Sequence, residues 1–226
     1  MKKPLTVMML LAGALSGYSQ GTVLFYMDNV AGPGLFKQAI YNVSAGTYNV
    51  TYGGYSVMEQ QGSSAIDTPA GTTVYSGAPL GGSASTGTAY DSQMLAAPGT
   101  GDALSILLPV GTVLHFFTQA FNAGFLKGEV VDTIGGNSPT ATIAIAAWAN
   151  NGVDGAATTL AEAQADGYDW GISNTANDVL ATGAETIPPM PTTIESFSLG
   201  ASEVPEPGTI VLGVMWATAL LLRRRK

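Results

Sequence analysis

The chain has 226 residues, no cysteine and a single histidine, with 16 acidic side chains against 8 basic ones. Six of the eight bases sit in the two ends, leaving Lys37 and Lys127 for everything between, so the segment from Gln20 to Glu206 carries a net charge of about −14. That balance repels phosphate backbones and anionic lipid and excludes nucleic-acid binding, while the lack of cysteine excludes disulfides and thiol chemistry.

Lys2 and Lys3 precede an apolar run from Leu5 to Leu15, and Gly17 and Ser19 place small residues where a signal peptidase reads. Residues 1–19 are therefore expected to be a secretory signal peptide cut between Ser19 and Gln20, with an exported body over 20–203.

Gly, Ala, Ser and Thr dominate the body, and short β-type runs recur between turn signals. Strands are expected at Thr22–Met27, Ala39–Val43, Thr47–Tyr52, Thr72–Tyr75, Leu104–Leu108, Thr112–Ala120, Ala141–Trp148 and Thr193–Leu199. Gly53-Gly54, Gly81-Gly82, Pro109-Val110-Gly111, Gly135-Gly136-Asn137 and Asn151-Gly152 divide them. In Ala141–Trp148 the alternation puts Ile143 and Ile145 on one side. Residues 62–101, rich in Gly, Ser and Thr, read as loops over a sheet edge or as weak edge strands, with loops preferred. Thr158 to Ala165 has helix formers behind a threonine cap, so one or two helical turns should end before Gly167. The pattern predicts an all-β chain, an antiparallel β-sandwich with long Gly/Ser/Thr-rich loops.

Candidate chemistry in the body is sparse. His115 lies within a strand pattern, which favours a partly buried structural role over a triad member. Glu129 with Asp132, and Asp166 with Asp169, are close enough to raise a paired-acid hydrolase, yet suit solvated turns. The stretch Asn150-Asn151-Gly152-Val153-Asp154-Gly155 offers Asn150 and Asp154 as weak oxygen ligands for calcium, but Gly152 contributes none. No cofactor is expected. Tyr41, Tyr48, Tyr52, Tyr55 and Tyr75 could form an exposed row that stacks on sugar rings, although core packing is the preferred account of them. Asn42-Val43-Ser44 and Asn49-Val50-Thr51 match a glycosylation sequon.

The last residues carry the sharpest signal. Val204-Pro205-Glu206-Pro207-Gly208 leads into an apolar run from Thr209 to Leu222, then Arg223-Arg224-Arg225-Lys226. Fourteen helical residues rise about 21 Å, short of a hydrocarbon core of about 30 Å, but flanking arginines and Trp216 can extend the reach. A single transmembrane helix over 209–222 is expected, its basic end held on the cytoplasmic side. The prolines keep the preceding linker extended and open to a processing enzyme.

This tripartite tail over 204–226 resembles the PEP-CTERM sorting signal. The opening Gln20-Gly21-Thr22-Val23, the Ala147-Trp148 strand and Ile194 to Leu199 are also reminiscent of bodies in that group. The resemblance implies an inner-membrane-anchored precursor cut near Pro205-Glu206-Pro207 by an exosortase, and a mature protein at the cell surface or in the extracellular matrix. It implies no activity for the body. A non-enzymatic surface protein is the favoured expectation; a module that binds the cell's exopolysaccharide, with or without calcium, is the alternative.

Overall fold

The computed structural model describes residues 21–26, 39–44, 50–52, 55–60, 74–127, 129–136, 138–150, 157–181, 188, 190–191 and 193–200. In chain order the strands are β1 (Gly21–Tyr26), β2 (Ile40–Tyr41), β3 (Val50–Tyr52), β4 (Tyr55–Met58), β5 (Tyr90–Pro98), β6 (Leu108–His115), β7 (Glu129–Ile134), β8 (Thr140–Ala149), β9 (Trp170–Ile172), β10 (Ala176–Val179) and β11 (Phe197–Ser198). Two helices join them, α1 (Ala84–Gly87) and α2 (Leu160–Asp166).

The described residues are mainly β, and every strand pair is antiparallel except β2 with β11. The main sheet has five strands in the order β10-β8-β5-β6, with β9 sharing the β10 side of β8. Ser173 makes the join between β9 and β10: its hydroxyl accepts from Ile145 N at 2.8 Å, and its own amide donates to Ile145 O at 2.8 Å. The remaining strands form three two-stranded pairs, β1-β7, β2-β11 and β3-β4.

β8 is the axis of the fold. Every residue from Ala141 to Trp148 is buried, which is why the strand reads as a near-continuous apolar run. Ile143 and Ile145 face one core with Met94 and Ala96 of β5, where they meet Val23, Phe25, Ile40, Phe116 and Phe197. Ala144, Ala146 and Trp148 face a second core with Leu95, Leu107, Leu160, Ala163, Trp170 and Ile172. Each fully buried large aliphatic side chain contributes roughly 1.5–3 kcal/mol. Small alanines on the second face let α2 approach the sheet closely.

α2 begins where the sequence places it. Thr159 accepts from Glu162 N while the Glu162 carboxylate accepts from Thr159 N, a reciprocal capping box. The helix stops at Gly167, whose φ of 77° is the left-handed conformation that glycine adopts without strain.

Several expected elements need correction. Residues 62–101 were expected to be mainly loops, yet Tyr90–Pro98 is a central strand hydrogen-bonded to both β6 and β8. Its polar residues are tolerated there because each finds a partner: Ser92 Oγ donates to Ala146 O and Gln93 Nε2 to Gly111 O. The expected strand Leu104–Leu108 is instead a 3-10 turn over Leu104–Ile106, and β6 starts only at Leu108. β6 ends at His115 rather than Ala120, because Ala120–Asn122 forms another 3-10 turn. Val74 and Tyr75 are not in a strand, and Thr193–Leu199 contributes only Phe197–Ser198. β4, β7, β9 and β10 lie outside the expected strands. Among the described residues no helix is long and apolar enough to cross a membrane; the expected span 209–222 lies outside them.

Candidate functional site

Among the described residues, the His115 imidazole meets the Asp91 carboxylate. The two residues face each other across β5 and β6. The imidazole Nδ1 is 2.6 Å from Asp91 Oδ1; the histidine side chain is 45% exposed and the aspartate 7%. Asp91 is held from its other side by Asn150, whose Nδ2 donates to Asp91 Oδ1 at 3.1 Å and to Thr88 O at 2.8 Å. A buried carboxylate with two donors avoids the penalty of an isolated charge. The pairing also fixes which ring nitrogen faces the protein, and so directs Nε2 outward.

Asp91 opposes Trp148 on β8. The Trp148 indole is fully buried and its Nε1 donates to Ala157 O at 3.0 Å. Asn150 and Ala157, which bracket residues 151–156, are therefore both pinned to this end of the sheet. Asn150 is itself buried, and its amide nitrogen bridges strands instead of facing a solvent cation. Asp154, the other weak calcium candidate, lies outside the described residues. Among those described, no group of three acidic or histidine side chains could hold a metal.

On the opposite face, Tyr90 packs edge-on to Phe116, with ring centroids 6.5 Å apart, and its hydroxyl accepts from Asn42 Nδ2 at 3.1 Å. Burial raises the Tyr90 pKa, and the negative charge of Asp169 adds to the effect while the Asn42 bond opposes it.

Asp132 is buried on β7, and Glu129, three positions away, begins that strand. Asp166 closes α2 on the exposed side, and Asp169 precedes β9. The tyrosines do not form one row among the described residues. Tyr41 stacks on Tyr75 at a centroid distance of 4.4 Å, and the Tyr75 hydroxyl donates to Ser196 O. Tyr52 meets Trp170 edge-on at 6.0 Å. Tyr48 lies outside the described residues, as do Ser19, Gln20, Val204, Pro205, Glu206, Pro207 and the basic cluster Arg223 to Lys226.

No family model, curated protein or solved structure matches this chain. His115 and Asp91 supply an oriented imidazole, and among the described residues no serine or threonine hydroxyl bonds to it. Asp91 escaped sequence reasoning because it sits in a stretch of low-complexity composition; only knowing that β5 lies beside β6 would reveal the pair. The arrangement ties three strands together at their ends.

Proposed function

We propose that this chain is an exported protein of the cell surface or extracellular matrix, without catalytic activity, sorted through its C-terminal tail and cut near Pro205-Glu206-Pro207 by an exosortase. One observation carries the reading: an acidic proline motif, a short apolar run and a terminal basic cluster follow one another within 204–226. The Lys2-Lys3 start and the apolar run behind it supply the matching export signal.

The body's construction supports this role. Its last described strand is tied in on two sides, with Leu199 N donating to Tyr41 O at 2.9 Å and Gly200 N to Trp170 O at 2.8 Å. Cleavage several residues beyond Gly200 leaves those bonds untouched. A cysteine-free, strongly acidic body is soluble outside the cell and draws its stability from packing alone. We read the β1-β7 and β2-β11 pairs as the second layer of a sandwich over the five-stranded sheet. The segment 209–222 is the precursor's single transmembrane helix.

Mass spectrometry of the protein recovered from the cell surface tests the proposal. The mature chain should begin near Gln20 and lack Thr209 to Lys226. Replacing Pro205 and Glu206 by alanine should leave the tail attached and the protein in the inner membrane. An intact tail on wild-type surface protein would refute exosortase processing.

A further inference from the structure

The seam between the β1-β7 pair and the edge of the main sheet holds an unusual group. Asp132 sits on β7 opposite Val23 and is 2% exposed. Its Oδ1 accepts from Thr112 N across to β6 at 3.3 Å, a long bond, and its Oδ2 is buried with no hydrogen-bond partner. Facing it is Gly111, with φ of 70°, where a side-chain Cβ would overlap the carboxyl group. The edge strand is thus reduced, at this point, to the one residue that leaves room for Asp132.

An ionised carboxylate in such a place normally needs a cation or several donors. Among the described residues, the elements packed against β7 do not provide them. β1 has Tyr26 as its single titratable residue, and its backbone is in register with Glu129 at the end of the β1-β7 pair. β6 has His115, already bound to Asp91 of β5. Tyr90, the other titratable residue of β5, accepts from Asn42. Burial accordingly pushes the Asp132 carboxyl up to about 6, opposed by the single amide of Thr112.

We propose that Asp132 is a proton-operated latch fastening the β1-β7 pair onto the edge strand β6. In its neutral form the carboxyl group still accepts from Thr112 and stays inside the seam at little desolvation penalty. In its ionised form it gains by reaching water, and parting β7 from β6 gives it that access. The closed state binds the proton more tightly than the open one. Closure is therefore tightest below about pH 3.8, weakens as the pH rises from there through about 6, and levels off above.

Hydrogen exchange on the full chain tests this, reading the amides of β1 and β7 at about pH 5 and about pH 7.5 after correction for intrinsic rates. A carboxyl that titrates at about 6 when closed and at its ordinary 3.8 when open makes the opening constant roughly tenfold larger at the higher pH. Asp132→Asn keeps the shape and removes the charge, so it should abolish that difference, while Asp178→Asn should preserve it. Equal opening at the two pH values in wild type, or an unchanged tenfold response in Asp132→Asn, overturns the latch. Should that variant not fold, the wild-type Asp132 carboxyl carbon shift decides the matter by NMR. A midpoint near 6 supports the latch, and one in the ordinary aspartate range overturns it.

Discussion

Replacing Trp148 by phenylalanine probes how firmly the candidate site is anchored. The indole is fully buried in the second core, and its Nε1 is 3.0 Å from the carbonyl of Ala157, itself buried. Phenylalanine is smaller by about three ring atoms, which forfeits roughly 1–2 kcal/mol of burial and leaves a small cavity. It also removes the donor, and a buried carbonyl without a partner costs a further 1–2 kcal/mol or so. The expected total is about 2–4 kcal/mol, a large share of the roughly 5–15 kcal/mol that stabilises an ordinary domain. Urea unfolding followed by circular dichroism measures the loss through the midpoint at constant slope. As a packing-only comparison, Ile145→Val in the other core should cost about 0.5–1.5 kcal/mol. A Trp148→Phe loss no greater than that of Ile145→Val would refute the claim that the indole bond pins Ala157.

Three other outcomes follow from the geometry. Thr159→Ala removes the side-chain half of the capping box and should destabilise the protein by about 1 kcal/mol in urea titrations, with Glu162→Gln costing less. Gly111→Ala combines a left-handed backbone with overlap on the Asp132 carboxyl group, so it should lose more than about 2 kcal/mol; adding Asp132→Ala should recover part of that, which a double-mutant cycle would quantify. Asp178 is pushed up to about 6 by burial, against the bond from Val179 N. Because its folded value exceeds the unfolded one, Asp178 costs wild type stability as the pH rises from about 4 through about 6, and Asp178→Asn removes that contribution. The variant's advantage should thus grow with pH to about 1 kcal/mol, allowing for partial hydration, as read by thermal melts across that range.

The parts of the fold legible in the sequence were those where one physical rule acts alone. β8 is buried on both faces, so its composition announces it, and the alternation that grouped Ile143 with Ile145 matches their shared core. α2 carries its cap, its helix formers and its terminal glycine in sequence order. β5 was hidden because Asp91, Ser92 and Gln93 read as loop residues, and their partners come from residues 18 to 59 positions away. Leu104–Ile106 failed in the opposite sense: apolar and β-like in composition, it turns because the chain must reverse between β5 and β6. β9 and β10, of three and four residues, are too short for a periodic signal. The His115 pair was half legible. The histidine was conspicuous by being single, whereas Asp91 gained meaning only from strand order. Asp132 was noticed for its spacing to Glu129, although its burial opposite Gly111 is what sets it apart.

The parallel pairing of β11 with β2 bears on how the chain is made and moved. Phe197 joins Ile40 in register, and Gly200 bridges to Trp170. Contacts of such long sequence separation are slow to form and cannot exist until nearly the whole body has been synthesised. Until residues 197–200 have been made, Ile40 and Trp170 lack these partners, so the contacts close late in synthesis.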